Sequence, residues 1–460
     1  MEIISQNSTD KKDSFDAAAR FFKEFQIGKL LFKCNAGKEK GVPVMEIFRY
    51  LFMLMFSDRS MYMQMHTGTF SQDFCKNTVY RFLNNPRINW ERFTTLLSSR
   101  IINTFLVPLT SEDRKDVFII DDSLYDKSRS GKTELLANVF DHCSKKFKRG
   151  YRMLTLGWSD GNSFIPINQC LLSAADDRNL LCEAKSCDGR TLAGKRRRQS
   201  RRKSTEVMLD LLRSAMAAGI SAEYVLFDSW FASPKTIVAL KKQLGLDTIA
   251  LLTLGKAKYG YKGQKLDVKQ IYSMSKKRRG RSKYLLSVEV DIEKDGESVP
   301  ARIVFVRRSS GKKDWLALIS TDTSLSEEEI IRIYGKRWDI EVFFKTCKSY
   351  LKLSGEVHSL SYDALNAHIA IVFTRYMMLS VTARQNEDPK SLCEILFVLA
   401  DELKDISFSC SLQIIMAVLA GEIVKYFQIS EAQLNEFLKN FANSLPGYIQ
   451  RALKYKISAV

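Results

Sequence analysis

The amino-acid sequence predicts a mixed α/β fold that is flanked by helical regions at both ends. In the middle of the chain, short runs rich in β-branched and aromatic residues, such as residues 117–120 and 224–227, alternate with helical patterns. Before residue 113 and after about residue 380, apolar residues recur at helical spacing instead. A chain of 460 residues is long enough for two or three domains with a sizeable core.

The charge of the chain points to an anionic partner. The formal net charge is +19, the pI is about 9.4, and basic runs lie at residues 195–203, 276–283 and 307–313. Charge spread in this way favours nucleic acid over a membrane surface, because a membrane-binding segment would concentrate it on one amphipathic helix. We therefore expect these runs to be loops or strand ends that contact a DNA backbone, and we expect no membrane partner.

The cysteines and histidines predict neither a zinc site nor disulfides. Nine cysteines are scattered along the chain without paired zinc-ligand spacing, and the four histidines show no repeated spacing. The N-terminus is polar and shows no hydrophobic signal-peptide segment. These features predict reduced thiols in a cytoplasmic protein.

Residues 1–112 are predicted to form a helical DNA-binding domain. Its helices are predicted at residues 44–56, 71–83 and 90–105. The middle helix ends at Asn84-Asn85-Pro86, a strong stop signal, and carries Lys76, Asn77 and Arg81 as donors for DNA. A plain three-helix bundle is the alternative interpretation.

Two of the predicted central strands run into aspartates. Residues 117–120 lead into Asp121 and Asp122, and residues 224–227 lead into Asp228. The other elements of residues 113–255 are predicted as strands at 151–158, 163–172 and 248–254 and helices at 204–218 and up to 244. Three strands, a helix and a strand–helix–strand unit form the order of an RNase H-like domain, a mixed sheet flanked by helices.

A third acidic residue lies on a later helix. Ser326 is a good N-cap with three glutamates behind it, and the pattern predicts one continuous helix through residue 348. Along that helix Tyr334, Arg337, Lys345 and Lys348 fall on the same side as Glu341. One carboxylate is thus held among cations. A salt-bridged amphipathic helix is the alternative interpretation.

The spacing Tyr334-x2-Arg337-x3-Glu341-x6-Lys348 resembles the YREK signature of bacterial insertion-sequence transposases of the DDE type. The resemblance implies that Glu341 is the third metal-binding carboxylate and that the other three residues contact DNA phosphates. It also implies a β-rich insertion at 256–323, a second catalytic part at 324–380 and a C-terminal helical region at 381–460 that pairs two subunits on DNA.

The choice of the first aspartate depends on strand alternation and on the resemblance. Neighbouring residues of a strand point to opposite faces, so only one of Asp121 and Asp122 can meet Asp228. In the resembled family the first aspartate is typically followed by Thr or Ser, as Asp122 is by Ser123. We therefore predict Asp122, Asp228 and Glu341 as the catalytic and metal-binding residues.

Three converging carboxylates predict a divalent metal site. Oxygen ligands suit Mg²⁺, with Mn²⁺ as a substitute, and two ions would serve hydrolysis and transesterification of DNA. Arg129 and Lys132, which follow the first strand, are further candidates for phosphate contacts. By the resemblance, Trp315 stacks on a DNA base during hairpin formation, whereas a core tryptophan is the alternative.

The sequence thus predicts a cut-and-paste DNA transposase that binds terminal inverted repeats and cleaves double-stranded DNA through hairpin ends. The resemblance implies a homodimer in the DNA complex of a bacterial, nucleoid-associated enzyme. Alternatives are an inactive DNA-binding descendant of such an enzyme, a structure-selective nuclease and a basic transcriptional regulator. The regulator leaves the order of the carboxylates unexplained.

Overall fold

The structure is a computed structural model that describes most of the chain up to residue 385. The described ranges are 17–56, 60–70, 72–110, 114–141, 144–278, 283–307 and 315–385, with single positions between 427 and 441. The predicted C-terminal helical region at 381–460 lies almost entirely outside the described residues. Parts of two basic runs, at 279–282 and 308–314, also lie outside them.

The N-terminal region is helical, as predicted. Its helices are α1 (Ala17–Glu24), α2 (Ile27–Lys33), α3 (Val44–Met53), α4 (Met61–His66), α5 (Lys76–Leu83) and α6 (Trp90–Ile101). Helix α6 packs against the central sheet, where the Ser98 hydroxyl donates to the Pro166 carbonyl at 2.8 Å. Helix α6 and the sheet therefore share one core.

Chain contacts divide the protein into two compact units. The larger comprises residues 1–52 and 70–389, and the smaller comprises residues 53–69 and 390–460. In the described part of the smaller unit, Ser60 caps α4 by accepting a hydrogen bond from the Met63 backbone N–H. All elements discussed below belong to the larger unit.

The centre of the larger unit is a mixed sheet, which confirms the predicted α/β class. Its first strands are β1 (Val117–Asp126), β2 (Ala137–Asp141), β3 (Lys146–Ser159), β4 (Phe164–Leu172), β5 (Tyr224–Phe227) and β6 (Asp247–Leu251). Strand β1 pairs antiparallel with β3 and parallel with β5, and β5 pairs parallel with β6. Three helices, α7 (Leu192–Ser200), α8 (Ser204–Ala217) and α9 (Pro234–Leu244), connect these strands.

The predicted β-rich insertion extends the same sheet. It contains β7 (Lys258–Tyr261), β8 (Gln264–Asp267), α10 (Val268–Met274), β9 (Tyr284–Lys294), β10 (Glu297–Arg307) and β11 (Trp315–Ser320). Strand β11 pairs antiparallel with β6, which places the insertion strands beyond it in the order β11, β10, β9, β7 and β8. The helices α11 (Glu327–Gly335), α12 (Trp338–Ser349) and α13 (Tyr362–Gln385) follow.

Helix α13 is the long apolar helix of the core. Among the described residues it alone is long and apolar enough to cross a bilayer, and that apolar stretch is entirely buried inside the protein. Its Arg375 is fully buried and donates to the Leu51 and Phe52 carbonyls and to the Glu356 carboxylate at 2.7 Å. Burial alone would raise the pKa of Glu356, but Arg375 and His368 outweigh burial and hold that pKa below its ordinary value.

Replacing Arg375 with methionine should destabilise the protein strongly, because the buried Glu356 carboxylate would lose its main cation. We expect the free energy of unfolding to fall by about 3–5 kcal/mol, measured by urea denaturation. The control is Arg213→Met, since that half-exposed side chain pairs with Asp210 on the surface and should contribute less than about 1 kcal/mol. Equal losses from both variants would contradict this account of the core.

Candidate active site

The parallel pairing of β1 with β5 brings two aspartates together. Ile120 lies opposite Phe227 in the register, so Asp121 within β1 and Asp228 just after β5 come next to each other along the two strands. Strand β1 continues beyond this level to Asp126, whereas β5 ends at Phe227. The carboxylate at the end of β5 therefore lies beside the middle of β1.

Asp121 has the electrostatics of a carboxyl that is crowded by other acids. Burial is the largest cause and the nearby Asp228 charge the next, and together they raise the pKa of Asp121 from its ordinary 3.8 to about 7. Asp122 adds a smaller raising effect, while Arg337 acts in the opposite direction. A cation that entered between Asp121 and Asp228 would relieve this repulsion.

The helix that carries Glu341 is interrupted, so the prediction of one continuous helix was wrong. Helix α11 begins with a capping box between Ser326 and Glu329, and it ends at Gly335. Lys336 and Arg337 form a turn before α12, in which the Arg337 N–H donates to the Tyr334 carbonyl three residues back. The turn stays in the right-handed helical region, so Arg337 and Glu341 remain one helical turn apart.

Arg337 bridges the strand carboxylate and the helix carboxylate. Its Nη2 contacts Glu341 Oε1 at 3.0 Å, and its Nη1 lies 3.4 Å from Asp121 Oδ2. The Tyr334 ring lies beside the same guanidinium, and burial is the main cause that raises the pKa of Tyr334 to about 12. Tyr334, Arg337 and Glu341 of the sequence motif therefore meet Asp121 and Asp228 in one place.

Buried contacts fix α12 on the sheet. Ile340, Phe343 and Cys347 are fully buried, and the Asp339 carboxylate accepts a hydrogen bond from Ser159 at 2.6 Å. Lys336 anchors the preceding turn by donating to the Asp160 carbonyl at 3.1 Å. The position of Glu341 therefore follows from the packing of α12 against β1, β3 and β4.

The placement of Asp122 differs from the prediction. Asp122 points to the opposite face of β1 from Asp121 and forms an ion pair with Arg152 at 3.1 Å. On the Asp121 face, Lys348 Nζ donates to the Ser123 hydroxyl. The structure thus brings Asp121, not Asp122, to Asp228 and the motif helix, because the face toward α12 is set by packing.

Three other predicted DNA contacts, Lys345, Arg129 and Lys132, are exposed side chains. Lys345 is exposed on α12, one turn after Glu341. Arg129 and Lys132 are exposed in the loop after β1. They follow Asp126, the last residue of β1, and their contact with DNA phosphates stays a prediction.

Trp315 begins β11 at the same edge of the sheet as Asp228. Ile319 of β11 and Phe227 of β5 both pair with Ala250 of β6. Because β11 runs antiparallel to β5, Trp315 at the start of β11 lies beyond the end of β5. The Trp315 ring stacks on Tyr272 with a centroid distance of 4.5 Å. One face of the ring is therefore covered within the insertion.

The first basic run is largely structural, contrary to expectation. Residues 195–200 belong to helix α7, and the buried Arg197 contacts Glu134 at 2.6 Å and Asp363 at 2.9 Å. Arg196 also pairs with Asp363. These guanidinium groups join α7 to α13 in the core and do not form a loop for DNA.

The acidic residues fit a divalent cation in chemistry but are not arranged around one here. Among the described residues, no group of three or more carboxylate, imidazole or thiol side chains is placed to hold one ion. The Arg337 guanidinium lies between Asp121 and Glu341 and supplies positive charge there. Repulsion between Asp121 and Asp228 is the feature that fits a metal site, since oxygen ligands and an uncompensated charge suit Mg²⁺.

Comparison with known proteins gives one family. A family model described as DDE superfamily endonuclease matches residues 49–290, which is more than half of the chain. The matched part includes Asp121, Asp122 and Asp228 and ends before the helix of Glu341. No curated protein matches the chain.

Replacing Asp121 with asparagine should stabilise the metal-free protein in a pH-dependent way. The folded-state pKa is raised, so ionising Asp121 costs stability as the pH rises from about 4 to about 7. The advantage of Asp121→Asn should therefore be small near pH 4, grow with pH and level off above about 7, at roughly 1–4 kcal/mol. Thermal unfolding in EDTA measures it.

The matched control is Asp122→Asn, on the same strand. That change removes the ion pair with Arg152 and should give no stabilisation at any pH. If Asp122→Asn stabilised the protein at pH 8 and Asp121→Asn did not, the electrostatic assignment of the two residues would be reversed.

Proposed function

The chain belongs to the DDE superfamily of endonucleases, and from that premise we propose that it is a cut-and-paste DNA transposase of a bacterial insertion sequence. It binds terminal inverted repeats, cleaves the DNA at the element ends through hairpins and transfers the ends to target DNA. The observation that carries the proposal is the convergence of Asp121, Asp228 and Glu341 around Arg337.

The proposed metal ligands are Asp121, Asp228 and Glu341, with Asp121 in place of Asp122. Two Mg²⁺ or Mn²⁺ ions would supply activation of the attacking oxygen and charge stabilisation at the leaving oxygen. Burial and the Asp228 charge raise the pKa of Asp121 to about 7, so about half of these carboxyl groups hold a proton at neutral pH in the metal-free protein and would release it when a cation is bound beside them.

The cations of the motif would hold the DNA phosphates. In the metal-free protein Arg337 contacts two carboxylates. Its planar guanidinium would bind phosphate oxygens instead when Glu341 binds a metal ion. Lys348 lies on the Asp121 face of β1, and Lys345 is exposed one turn from Glu341. Tyr334 packs beside Arg337 and would orient it.

Helix α5 is the proposed reader of the inverted repeats. Val79, Phe82 and Leu83 are buried, while Lys76 and Arg81 are exposed. A helix with an apolar inner face and exposed cationic side chains fits the major groove. Pairing of two subunits on DNA, and location at the nucleoid, are carried over from the resemblance.

End cleavage tests the proposal. Linear DNA that bears the inverted repeats flanking the gene is incubated with the protein in Mg²⁺ or EDTA, and the products are separated on denaturing gels. Mg²⁺-dependent cutting at the repeat boundary with a covalently closed hairpin product supports the full proposal. Retarded but uncut DNA in every metal would instead favour an inactive DNA-binding descendant.

Three substitutions should abolish cleavage and leave binding largely intact. Asp121→Asn, Asp228→Asn and Glu341→Gln each remove a proposed metal ligand, and we expect cleavage to fall by about a thousandfold or more. The neighbouring Asp122→Asn should lower the rate by less than about tenfold, since it breaks the ion pair with Arg152 on the other face of β1 and removes no proposed metal ligand. Equal losses for Asp121→Asn and Asp122→Asn would contradict the assignment.

Arg81→Ala should weaken specific binding. If Arg81 contacts a base edge, the Kd for the inverted repeat should rise about 5- to 150-fold while binding to an unrelated duplex changes little. Electrophoretic mobility shifts in EDTA measure both values. Arg213→Ala on α8 removes the same charge elsewhere and serves as the control; a loss equal to that of the control would argue against recognition by α5.

A further inference from the structure

Trp230 is a large apolar side chain on the surface beside the candidate active site. It follows Asp228 by two residues and is 56% exposed. The next residue, Phe231, is 1% exposed, and its ring contacts Phe227 with a centroid distance of 6.4 Å. Of the two aromatic rings of this turn, the Phe231 ring is thus buried and the Trp230 ring is more than half exposed.

The turn fixes Trp230 relative to the Asp228 carboxylate. The Trp230 backbone N–H donates to Asp228 Oδ1 at 2.9 Å, and the Phe231 N–H donates to the Asp228 carbonyl at 3.3 Å. The buried Phe231 anchors the end of the turn in the core. The backbone position from which the indole projects is therefore fixed next to a proposed metal ligand.

Arg152 of β3 lies over the Trp230 ring. The guanidinium carbon is 5.0 Å from the ring centroid, within the range of a cation–π interaction. Asp122 holds Arg152 in place at 3.1 Å, and these two side chains are only 11% and 24% exposed. This arrangement gives Asp122 a role, since it orients the arginine that packs on the indole.

The charged residues beside Trp230 indicate which kind of partner would bind there. An apolar docking surface would need a contiguous apolar patch, whereas this ring is bordered by Asp122, Arg152 and Asp228. A partner that offers both a flat aromatic face and an anionic group suits an indole beside a guanidinium. Nucleotides combine these two features.

We propose that Trp230 and Arg152 form a stacking site for a nucleobase that adjoins the phosphodiester held at Asp121 and Asp228. The base stacks on the indole, and Arg152 adds positive charge beside it. This inference rests on the proposed function. It adds a DNA contact on the side of β1 away from the Tyr334, Arg337 and Lys348 motif.

The reach of the turn limits which base is bound. Two residues span at most ~7 Å of chain, and stacked nucleotides repeat every ~3.4 Å along a strand. A base on Trp230 therefore belongs to the nucleotide whose phosphate lies at Asp228 or to one within about two positions of it. The contact should be confined to a narrow window around the cleavage position.

An abasic scan of the DNA tests the proposal. Duplexes with the flanking inverted repeat carry one abasic nucleotide at successive positions across the cleavage boundary, and each Kd is measured in EDTA for wild type, Trp230→Ala and Trp230→Phe. We expect Trp230→Ala to weaken binding to intact DNA about 5- to 150-fold. At one or two positions near the boundary, the abasic site should raise the Kd of the wild type by a similar factor. The Kd of Trp230→Ala should hardly change at those positions.

The conservative variant and a control separate stacking from general damage. Trp230→Phe should retain most of the affinity and the position-dependent effect of the abasic site. Met216→Ala removes an apolar side chain that is 37% exposed on α8 and should change no Kd. Wild type that neither binds nor cuts the repeat refutes the proposed function itself. Wild type that binds and cuts, with Trp230→Ala showing the same abasic profile, overturns the stacking site alone.

Discussion

The candidate site depends on the ion pairs that the Arg337 guanidinium makes with two carboxylates. It joins Asp121 from the first strand of the sheet to Glu341 from a helix more than two hundred residues later. Without a cation in this place, burial and the charge of Asp228 would leave Asp121 still harder to ionise. The arginine therefore lets three acidic side chains share one edge of the sheet before any metal is bound.

Packing around that edge explains why the site has this form. The parallel register of β1 and β5 sets the two aspartates side by side. The buried face of α12 and the Asp339–Ser159 hydrogen bond fix the position of Glu341 relative to the sheet. The β-rich insertion continues the sheet, so Trp315 comes to the same edge although it lies far from Asp228 in sequence.

Much of the fold could be predicted from local patterns, and the site only in part. The strand at Tyr224–Phe227 and the helix at Ser204–Ala217 follow hydrophobic periodicity closely, because their apolar residues face the core. Alternation along β1 shows that Asp121 and Asp122 face opposite sides, but it does not show which side α12 covers. That choice is a tertiary property, and the residue type of Ser123 was a misleading guide to it.

Charge patterns were the least informative part of the sequence. The run at 195–203 has the composition of a DNA-binding loop, yet Arg197 is buried between Glu134 and Asp363, whose positions 134 and 363 are distant in sequence. A basic residue whose partners lie far along the chain cannot be distinguished from an exposed one by local composition. The break after Gly335 did have a local signal, since glycine has a low helix propensity and is common where helices end.

The most direct measurement for the account is the position of a bound Mn²⁺ ion in crystals of the protein with inverted-repeat DNA, located by anomalous diffraction. We expect an ion in contact with Asp121 and Asp228, with Glu341 released from Arg337 and Arg337 on a phosphate. An ion held by Asp122, or an Arg337–Glu341 ion pair that persists beside a metal-bound scissile phosphate, would contradict it.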